Sequence, residues 1–250
     1  VSCLCSLKGN RLLSGGEGFV IKLWALSSKT ITLTKEINGH FGTINHLILL
    51  SHERFASCSD DGTARIWKND ETYECISLFN HENEVTTVLQ LKGKEELVTA
   101  SFSFNGLKPG AKTGYISFWS LISDTEEHTI RGYGVFLPPH MIELPDGNIA
   151  LCTKEEPYLI VIIDCSNYQV KTTINTGNIF SSLCVIDKRS FIYAFFGFFL
   201  QISIEDYSTL FQLKEGNFNG CYGGIISIEG GKYYAIQNNK RIFIIKLCTD

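Results

Sequence analysis

The amino-acid sequence predicts an all-β chain of six four-stranded sheets stacked side by side. Three observations lead there. A segment of about forty-three residues recurs along the 250-residue chain. Within each copy, short β-branched or aromatic runs are separated by clusters of Gly, Asn, Asp and Ser, which is the pattern of strands and tight turns. No stretch keeps apolar spacings of three and four for more than two turns, so helices are not expected.

The first copy contains Leu13-Ser14-Gly-Gly-Glu-Gly-Phe-Val-Ile-Lys-Leu-Trp24, and the second Ala56-Ser57-Cys-Ser-Asp-Asp-Gly-Thr-Ala-Arg-Ile-Trp67. In both, Ser precedes Trp by ten residues, and the two Trp are 43 apart. Thr43–Leu50, Arg54–Ser57, Ala64–Trp67 and Tyr73–Phe79 read as the four strands of the second copy. The third copy runs from Val98-Thr99-Ala-Ser through an insertion of ten residues to Gly114-Tyr-Ile-Ser-Phe-Trp119. In the fourth, Gly132-Tyr133 stands where Gly39-His40 stands in the second, and Tyr158–Asp164 ends with Ile163-Asp164 in the Trp slot. Ala194 with Ile204, and Ala235 with Ile245, keep the spacing of ten in the last two copies. The Trp slot is therefore expected at 24, 67, 119, 163, 204 and 245.

A lone four-stranded sheet cannot cover both its faces, so neighbouring sheets must stack around an axis as the blades of a β-propeller. The expected blades are approximately 1–37, 38–79, 80–131, 132–175, 176–219 and 220–250, in a single domain. The last blade lacks its outermost strand. Missing strands or a seventh blade are expected in a longer parent protein.

Composition agrees with a large packed core. Hydrophobic residues make up 44% and aromatics 12%, while charged residues reach only 19%, below the usual quarter or so. Formal net charge is −4, and the six Arg lie scattered at 11, 54, 65, 131, 189 and 241. Binding of nucleic acid through its phosphates needs clustered Lys and Arg, so it is not expected. The longest apolar run, Phe191–Leu200, is about half of a membrane-spanning helix and reads as two strands with a turn near Gly197. Nine Cys, an odd number, sit inside strand-like runs. They read as buried free thiols in an intracellular, cytoplasmic or nuclear protein rather than as a secreted disulfide framework.

Gly39-His40, Ser57-Cys-Ser-Asp-Asp61-Gly and Trp67 resemble the WD-repeat (WD40) pattern of β-propellers. The resemblance is strong by motif over residues 1–119 and rests on spacing over 120–250. It implies a hydrogen-bonded tetrad in the second blade, running from Trp67 to Ser57 to His40 to Asp61. An indole donates only, a hydroxyl does both, and a neutral imidazole offers one donor and one acceptor. Partial tetrads are expected at Ser14 and Trp24, with Gly18 in the Asp slot, and at His81, Thr99 and Trp119. The fourth to sixth copies carry apolar groups in the Ser and Trp slots, which removes both polar partners together at little cost.

Other chemistry finds weaker support. His, Ser and Asp of the tetrad do not read as a catalytic triad. Ser57 sits mid-strand with a Trp competing for its oxygen, and no Gly-x-Ser-x-Gly elbow is present. Cys3-x-Cys5 has no partner pair at metal-ligand spacing, and His46, His52, His128 and His140 are isolated. Gly15-Gly16-Glu-Gly18 lacks the Lys-Ser/Thr ending of a phosphate loop. Ser59-Asp-Asp-Gly62 differs from the Asp-box of sialidase-type propellers in the distance to its aromatic. An enzymatic propeller would need carboxylates and His around a central channel. No cofactor, no metal and no catalytic residue are expected.

The resemblance implies a non-enzymatic platform for protein partners. More specific roles it allows are substrate or ubiquitin recognition in a ubiquitin ligase or similar assembly. Loops before each innermost strand, and between second and third strands, converge on one face, where binding residues concentrate on a rigid scaffold. Phe41, Asp60, Glu82, Glu84, Tyr133, Phe136, Glu155, Tyr158, Phe180, Phe196 and Tyr222 are placed there. Aromatics beside carboxylates suit a peptide or a basic partner segment. The insertion adds Phe102, Phe104, Lys108 and Lys112 as a second candidate contact element.

Overall fold

The computed structural model describes residues 1–102, 114–133, 141–153, 158–176, 182–195, 198–214, 225–228, 233–237 and 242–245. They contain 23 strands and no helix long and apolar enough to cross a membrane. The first sheet is β1 Cys3–Leu7, β2 Arg11–Gly15, β3 Ile21–Leu26 and β4 Ile31–Ile37. The second is β5 Ile44–Leu50, β6 Arg54–Ser59, β7 Thr63–Lys68 and β8 Cys75–Asn80. The third is β9 Glu84–Gln90, β10 Glu96–Phe102, β11 Tyr115–Ser120 and β12 Glu126–Arg131. The fourth is β13 Met141–Glu143, β14 Ile149–Cys152, β15 Leu159–Asp164 and β16 Gln169–Asn175. The fifth is β17 Ser182–Val185, β18 Ser190–Phe195, β19 Phe198–Ser203 and β20 Thr209–Lys214. The sixth is β21 Ile225–Ile228, β22 Tyr233–Gln237 and β23 Ile242–Ile245. Every sheet is antiparallel, with its strands hydrogen-bonded in chain order. These are the meandering sheets of a β-propeller, five of four strands and the sixth of three among the described residues, with three sheets in one compact unit, Val1–Pro138, and three in another, Pro139–Asp250.

In the second sheet both faces are buried, and alternation along each strand divides the side chains between the two neighbours. Phe55 and Ser57 of β6 and Trp67 of β7 turn toward the first sheet. There Phe55 and Trp67 join Leu13, Leu23, Ile37 and Ile44 in one core cluster. Ala56 and Cys58 of β6 and Ile66 of β7 turn the other way and pack with Val85, Leu97 and Trp119 of the third sheet. The run Phe55–Cys58 is consequently buried at every position, which explains why these strands read as continuous apolar runs. In the second unit, Ala150, Ile160 and Ile162 pack in the same manner against Leu183, Phe191 and Tyr193.

Register corrects part of the sequence reading. Trp24, Trp67 and Trp119 each sit where the ladder between third and fourth strands carries a β-bulge. The same bulge falls at Ile163 in the fourth sheet and at Ile202 in the fifth. The Trp slot of the fifth sheet is therefore 202, not 204. Two residues before each slot, the partner on the second strand is Ser14, Ser57 or Thr99 in the first three sheets. In the fourth it is Leu151, and in the fifth Tyr193 rather than Ala194. Residue counting failed there because the loop joining second and third strands changes length from sheet to sheet. A bulge that re-aims the side chain at the slot is the constant feature.

A second constant lies five or six residues beyond the slot. Tyr73, Asp124, Tyr168 and Tyr207 all adopt left-handed backbone conformations, with φ of 55°, 55°, 58° and 58°. Such geometry is costly for a bulky side chain, and at Tyr73, Asp124 and Tyr207 its return is contact with the preceding sheet. Tyr73 accepts a hydrogen bond from Arg11 (2.8 Å) and lies under the Lys35 ammonium at 4.8 Å. Asp124 accepts from Ser77 (2.8 Å). Tyr207 donates to Asp146 (3.1 Å), accepts from Asn148 (3.2 Å) and lies under Lys171 at 5.3 Å. Tyr73, expected to open a strand, is a turn residue that staples two sheets, and the strand begins at Cys75.

Candidate functional site

In an antiparallel meander, the turn between second and third strands and the connection to the next sheet leave from the same end. Four such segments of the first unit, 16–19, 38–43, 60–62 and 81–83, therefore share one end. Main-chain hydrogen bonds join them. The Gly16 carbonyl accepts from both Phe19 N and Ile44 N (each 3.2 Å), Thr43 O accepts from Asp60 N (3.0 Å), and Gly62 O accepts from His81 N (2.8 Å). The face is a set of loops fastened to each other.

Beneath it lies the polar chain of the second sheet. Trp67 Nε1 donates to Ser57 Oγ (2.8 Å), Ser57 Oγ meets His40 Nε2 (2.7 Å), and His40 Nδ1 meets Asp61 Oδ2 (2.7 Å). A carboxylate only accepts, so His40 carries its proton on Nδ1, and Nε2 accepts from the Ser57 hydroxyl. Each polar atom then has its complement. Burial pushes His40 below its ordinary value of 6.5, against the opposing pull of Asp61, and the neutral ring fits that proton order. Burial also works to raise Asp61. Hydrogen bonds from Thr63, the Phe41 N–H and His40 outweigh it and hold the carboxyl below the ordinary 3.8. Thr63 Oγ1 donates to Asp61 Oδ1 (2.6 Å) and Phe41 N to Oδ2 (3.0 Å). The chain thus runs from the indole in the core to the loop carrying Phe41. Ser57 is fully buried and its oxygen is engaged on two sides, so it cannot reach a substrate.

The other sheets carry less of this chain. Trp24 Nε1 donates to Ser14 Oγ (2.8 Å). Trp119 Nε1 donates to Thr99 Oγ1 (2.8 Å), which meets His81 Nε2 at 3.2 Å. His81 lies parallel to Tyr115 at 5.8 Å and edge-on to Trp119 at 5.2 Å.

Close approach makes glycine necessary at two positions around the chain. A Cβ on Gly39 would come within 2.7 Å of the Trp67 ring, and one on Gly42 within 2.5 Å of Asp61 N. At Gly42 the obstacle is backbone, so a flexible side chain cannot simply swing away. Gly42→Ala is expected to destabilise by about 2 kcal/mol, as overpacking does, and to loosen the Phe41 loop. Urea unfolding checks the first effect, and amide exchange at Phe41 and Thr43 the second.

Of the residues placed on the partner face, Phe41 is 83% exposed, and Asp60 and Glu82 are exposed. Asp60 accepts from Asn45 Nδ2 (2.6 Å), and Glu82 N donates to Tyr115 Oη (2.6 Å). Glu84, Tyr133 and Tyr158 are partly exposed. Phe102 ends β10 with only 5% of its surface exposed; it packs inside the sheet and is not available to a partner. Phe104, Lys108, Lys112, Phe136, Glu155, Phe180, Phe196 and Tyr222 lie outside the described residues. Phe19, outside the repeat motif, joins this face. It is 44% exposed on the turn at Gly16, with a left-handed φ of 62°. A large aromatic ending a Gly-rich turn, next to the loop that carries Phe41, was the available signal. Among the described residues no cluster of His, Cys, Asp and Glu has metal-binding geometry. Cys3, Cys5 and Cys58 are buried free thiols, and burial raises Cys3 to about 12 and Cys5 to about 11.

Residues 31–68 match the family model "WD domain, G-beta repeat". Three curated proteins are similar over part of the chain. The ubiquitin homeostasis protein lub1 of Schizosaccharomyces pombe is 34% identical over 79 residues, which are 31% of this chain and 10% of that protein. The ribosome biogenesis protein YTM1 of Eremothecium gossypii is 29% identical over 113 residues, 44% of this chain and 24% of that protein. The DDB1- and CUL4-associated factor 13 of Dictyostelium discoideum is 33% identical over 85 residues, 32% of this chain and 19% of that protein. The chain thus spans at most about a quarter of the length of these relatives. Among solved structures, the WD40 β-propeller domain of Doa1 superposes with a TM-score of 0.73 at 17% identity, over 97% of this chain and 76% of that one.

Proposed function

With a WD repeat matched from β4 to β7 and the fold of a WD40 β-propeller, this chain is, we propose, a non-enzymatic protein-interaction scaffold that engages partners on the fastened loop face. The observation that carries the reading is Phe41. Its side chain is 83% exposed, yet its backbone is tied to Asp61 at the end of a buried polar chain. A phenyl ring in water gains from being covered, and a loop ordered in advance has little entropy left to lose on binding. Rigid exposed aromatics of this kind are the usual anchors of interfaces.

Phe41→Ala should reduce affinity capture of partners at least tenfold, with the thermal midpoint unchanged. Tyr158→Ala, in the second unit, tests that unit separately. Capture by Phe41→Ala equal to that of the unaltered chain removes this face as the docking site.

A second reading is substrate or ubiquitin recognition within a ubiquitin ligase or similar assembly. The names of two relatives, a ubiquitin homeostasis protein and a CUL4-associated factor, favour it. Titrating 15N-labelled ubiquitin with the chain tests this reading: shifts confined to one ubiquitin surface and lost with Phe41→Ala support it, and unshifted spectra reject it. The same relatives support a place inside the cell.

A further inference from the structure

The chemistry of the fastened face selects its occupant. We propose that the first unit's loop face binds an extended peptide segment rich in Lys or Arg with an apolar side chain among them, Phe41 and Phe19 serving as its two anchors. The inference rests on the scaffold reading above and adds the class of partner.

Segments 16–19, 38–43, 60–62 and 81–84 contain five carboxylate residues and no Lys or Arg. Three of these, Glu17, Asp60 and Glu82, are exposed. The cation nearest to them in the second sheet, Arg65, is turned inward. Its side chain is 14% exposed and is occupied by Asp61 at 3.9 Å and Thr63 Oγ1 at 3.1 Å. These four loops therefore offer a partner carboxylates and no cation of their own, the exposed Arg131 beside Tyr115 belonging to β12. A cationic partner would pair with these carboxylates and be steered to the site.

The aromatics reinforce this choice. Phe41 and Phe19 stand on loops whose backbones meet at one atom, the Gly16 carbonyl, which accepts from Phe19 N and Ile44 N. Phenyl faces attract a guanidinium or ammonium through the ring quadrupole and gain from any apolar surface that covers them. Asp60 extends from the neighbouring loop that Thr43 O fastens. An Arg lying over Phe41 with Asp60 beside it would use both interactions at once. An acidic segment would meet carboxylates, and an uncharged one would leave them unpaired on covering the rings. An extended segment fits better than a folded domain surface because the anchors lie on separate loops, one before β3 and one before β5.

The test uses the whole chain with fluorescent fifteen-residue peptides of three compositions: Arg/Lys with Leu and Phe, Asp/Glu with Leu and Phe, and Ser/Gln with Leu and Phe. Binding is measured by anisotropy at 50 and 300 mM salt. The basic set should bind at least tenfold more tightly than the other two and weaken severalfold at the higher salt. Phe41→Ala and Phe19→Ala should each weaken it at least fivefold. Asp60→Asn with Glu82→Gln should do likewise, whereas Glu127→Gln, on exposed β12, should leave it unchanged. Loss of affinity with Glu127→Gln equal to that of the face variants would mean non-specific attraction and overturn the proposal. If the uncharged or acidic peptides bind best and still depend on Phe41, the docking face stands and the basic partner is refuted. If no peptide's binding depends on Phe41, both readings fall.

Discussion

Trp67→Ala should destabilise the first unit by about 3–5 kcal/mol, the range for deleting a large buried aromatic. Two losses combine. The indole is 2% exposed, lies parallel to Phe55 at 6.1 Å and joins the core shared by the first and second sheets, so its removal opens a cavity between sheets. Ser57 Oγ, fully buried, also loses the N–H that it accepts, 2.8 Å away. Trp67→Phe separates the two losses by keeping most of the ring and removing the donor. It should cost about 1–3 kcal/mol, the penalty of one buried polar group left unmatched. Denaturant unfolding followed by circular dichroism reads both variants. Because Phe41 is tied to Asp61, the same variants should raise amide exchange at residues 40–43. An unfolding midpoint that Trp67→Ala leaves in place would mean that neither the stacking nor the polar chain holds these sheets together.

Much of this architecture was legible in the sequence, for a definite reason. Where the tetrad is complete, chemistry and spacing coincide, since Ser57 can reach Trp67 only if one strand-turn-strand unit of fixed length separates them. Ser14 with Trp24 repeats that length. Thr99 with Trp119 keeps the contact at 2.8 Å across a sequence separation of twenty, because the excess residues lie in the loop and leave the ladder intact. Legibility fades where the polar pair is replaced by Leu151 with Ile163, or by Tyr193 with Ile202. An apolar residue on a strand buried on both faces resembles its neighbours, so counting from Ala194 misplaced the slot. The bulge and the left-handed Tyr207 that locate it are main-chain features, and a tyrosine gives little notice in sequence of a positive φ.

The site was legible to a different degree. Phe41 and Asp60 follow from the repeat frame, since loop residues flanking His40 and Asp61 must emerge at the same end as those two. Phe102 failed because strand β10 continues farther than the motif indicated and carries it into the sheet. Phe19 carries no motif signal: Gly15 before it is set by packing, since a Cβ there would meet Ile44 at 2.6 Å, and the left-handed φ that accompanies the exposed ring belongs to Phe19 itself.

Stability of the first unit should fall steadily as pH drops from about 6.5 to about 4. His40 is buried, His46 and His81 are partly buried, and all three are neutral. Burial is the largest influence on each, taking His46 and His81 down to about 4 and His40 below its ordinary 6.5. His46 illustrates the cost of a proton, because its Nδ1 accepts from Thr87 Oγ1 (3.1 Å) and Val88 N (3.4 Å) and has no lone pair to spare. The unfolded chain takes up protons near 6.5 while the folded chain refuses them until much lower pH, so acid favours unfolding. Stability from these groups is complete above about 6.5 and is lost as pH falls toward the folded values. For His46 and His81 the displacement corresponds to about 3 kcal/mol each at the acid end. Asp61, held below 3.8 when folded, adds its loss only at still lower pH. Urea midpoints at pH 7.5, 6.5, 5.5 and 4.5 measure the slope. His81→Gln, which keeps a polar group beside Thr99 but cannot titrate, should flatten it by roughly the contribution of one site. Unfolding midpoints that hold level or rise on acidification would mean that these imidazoles exchange protons freely with solvent, and the tightly packed inter-sheet core described above could not then be correct.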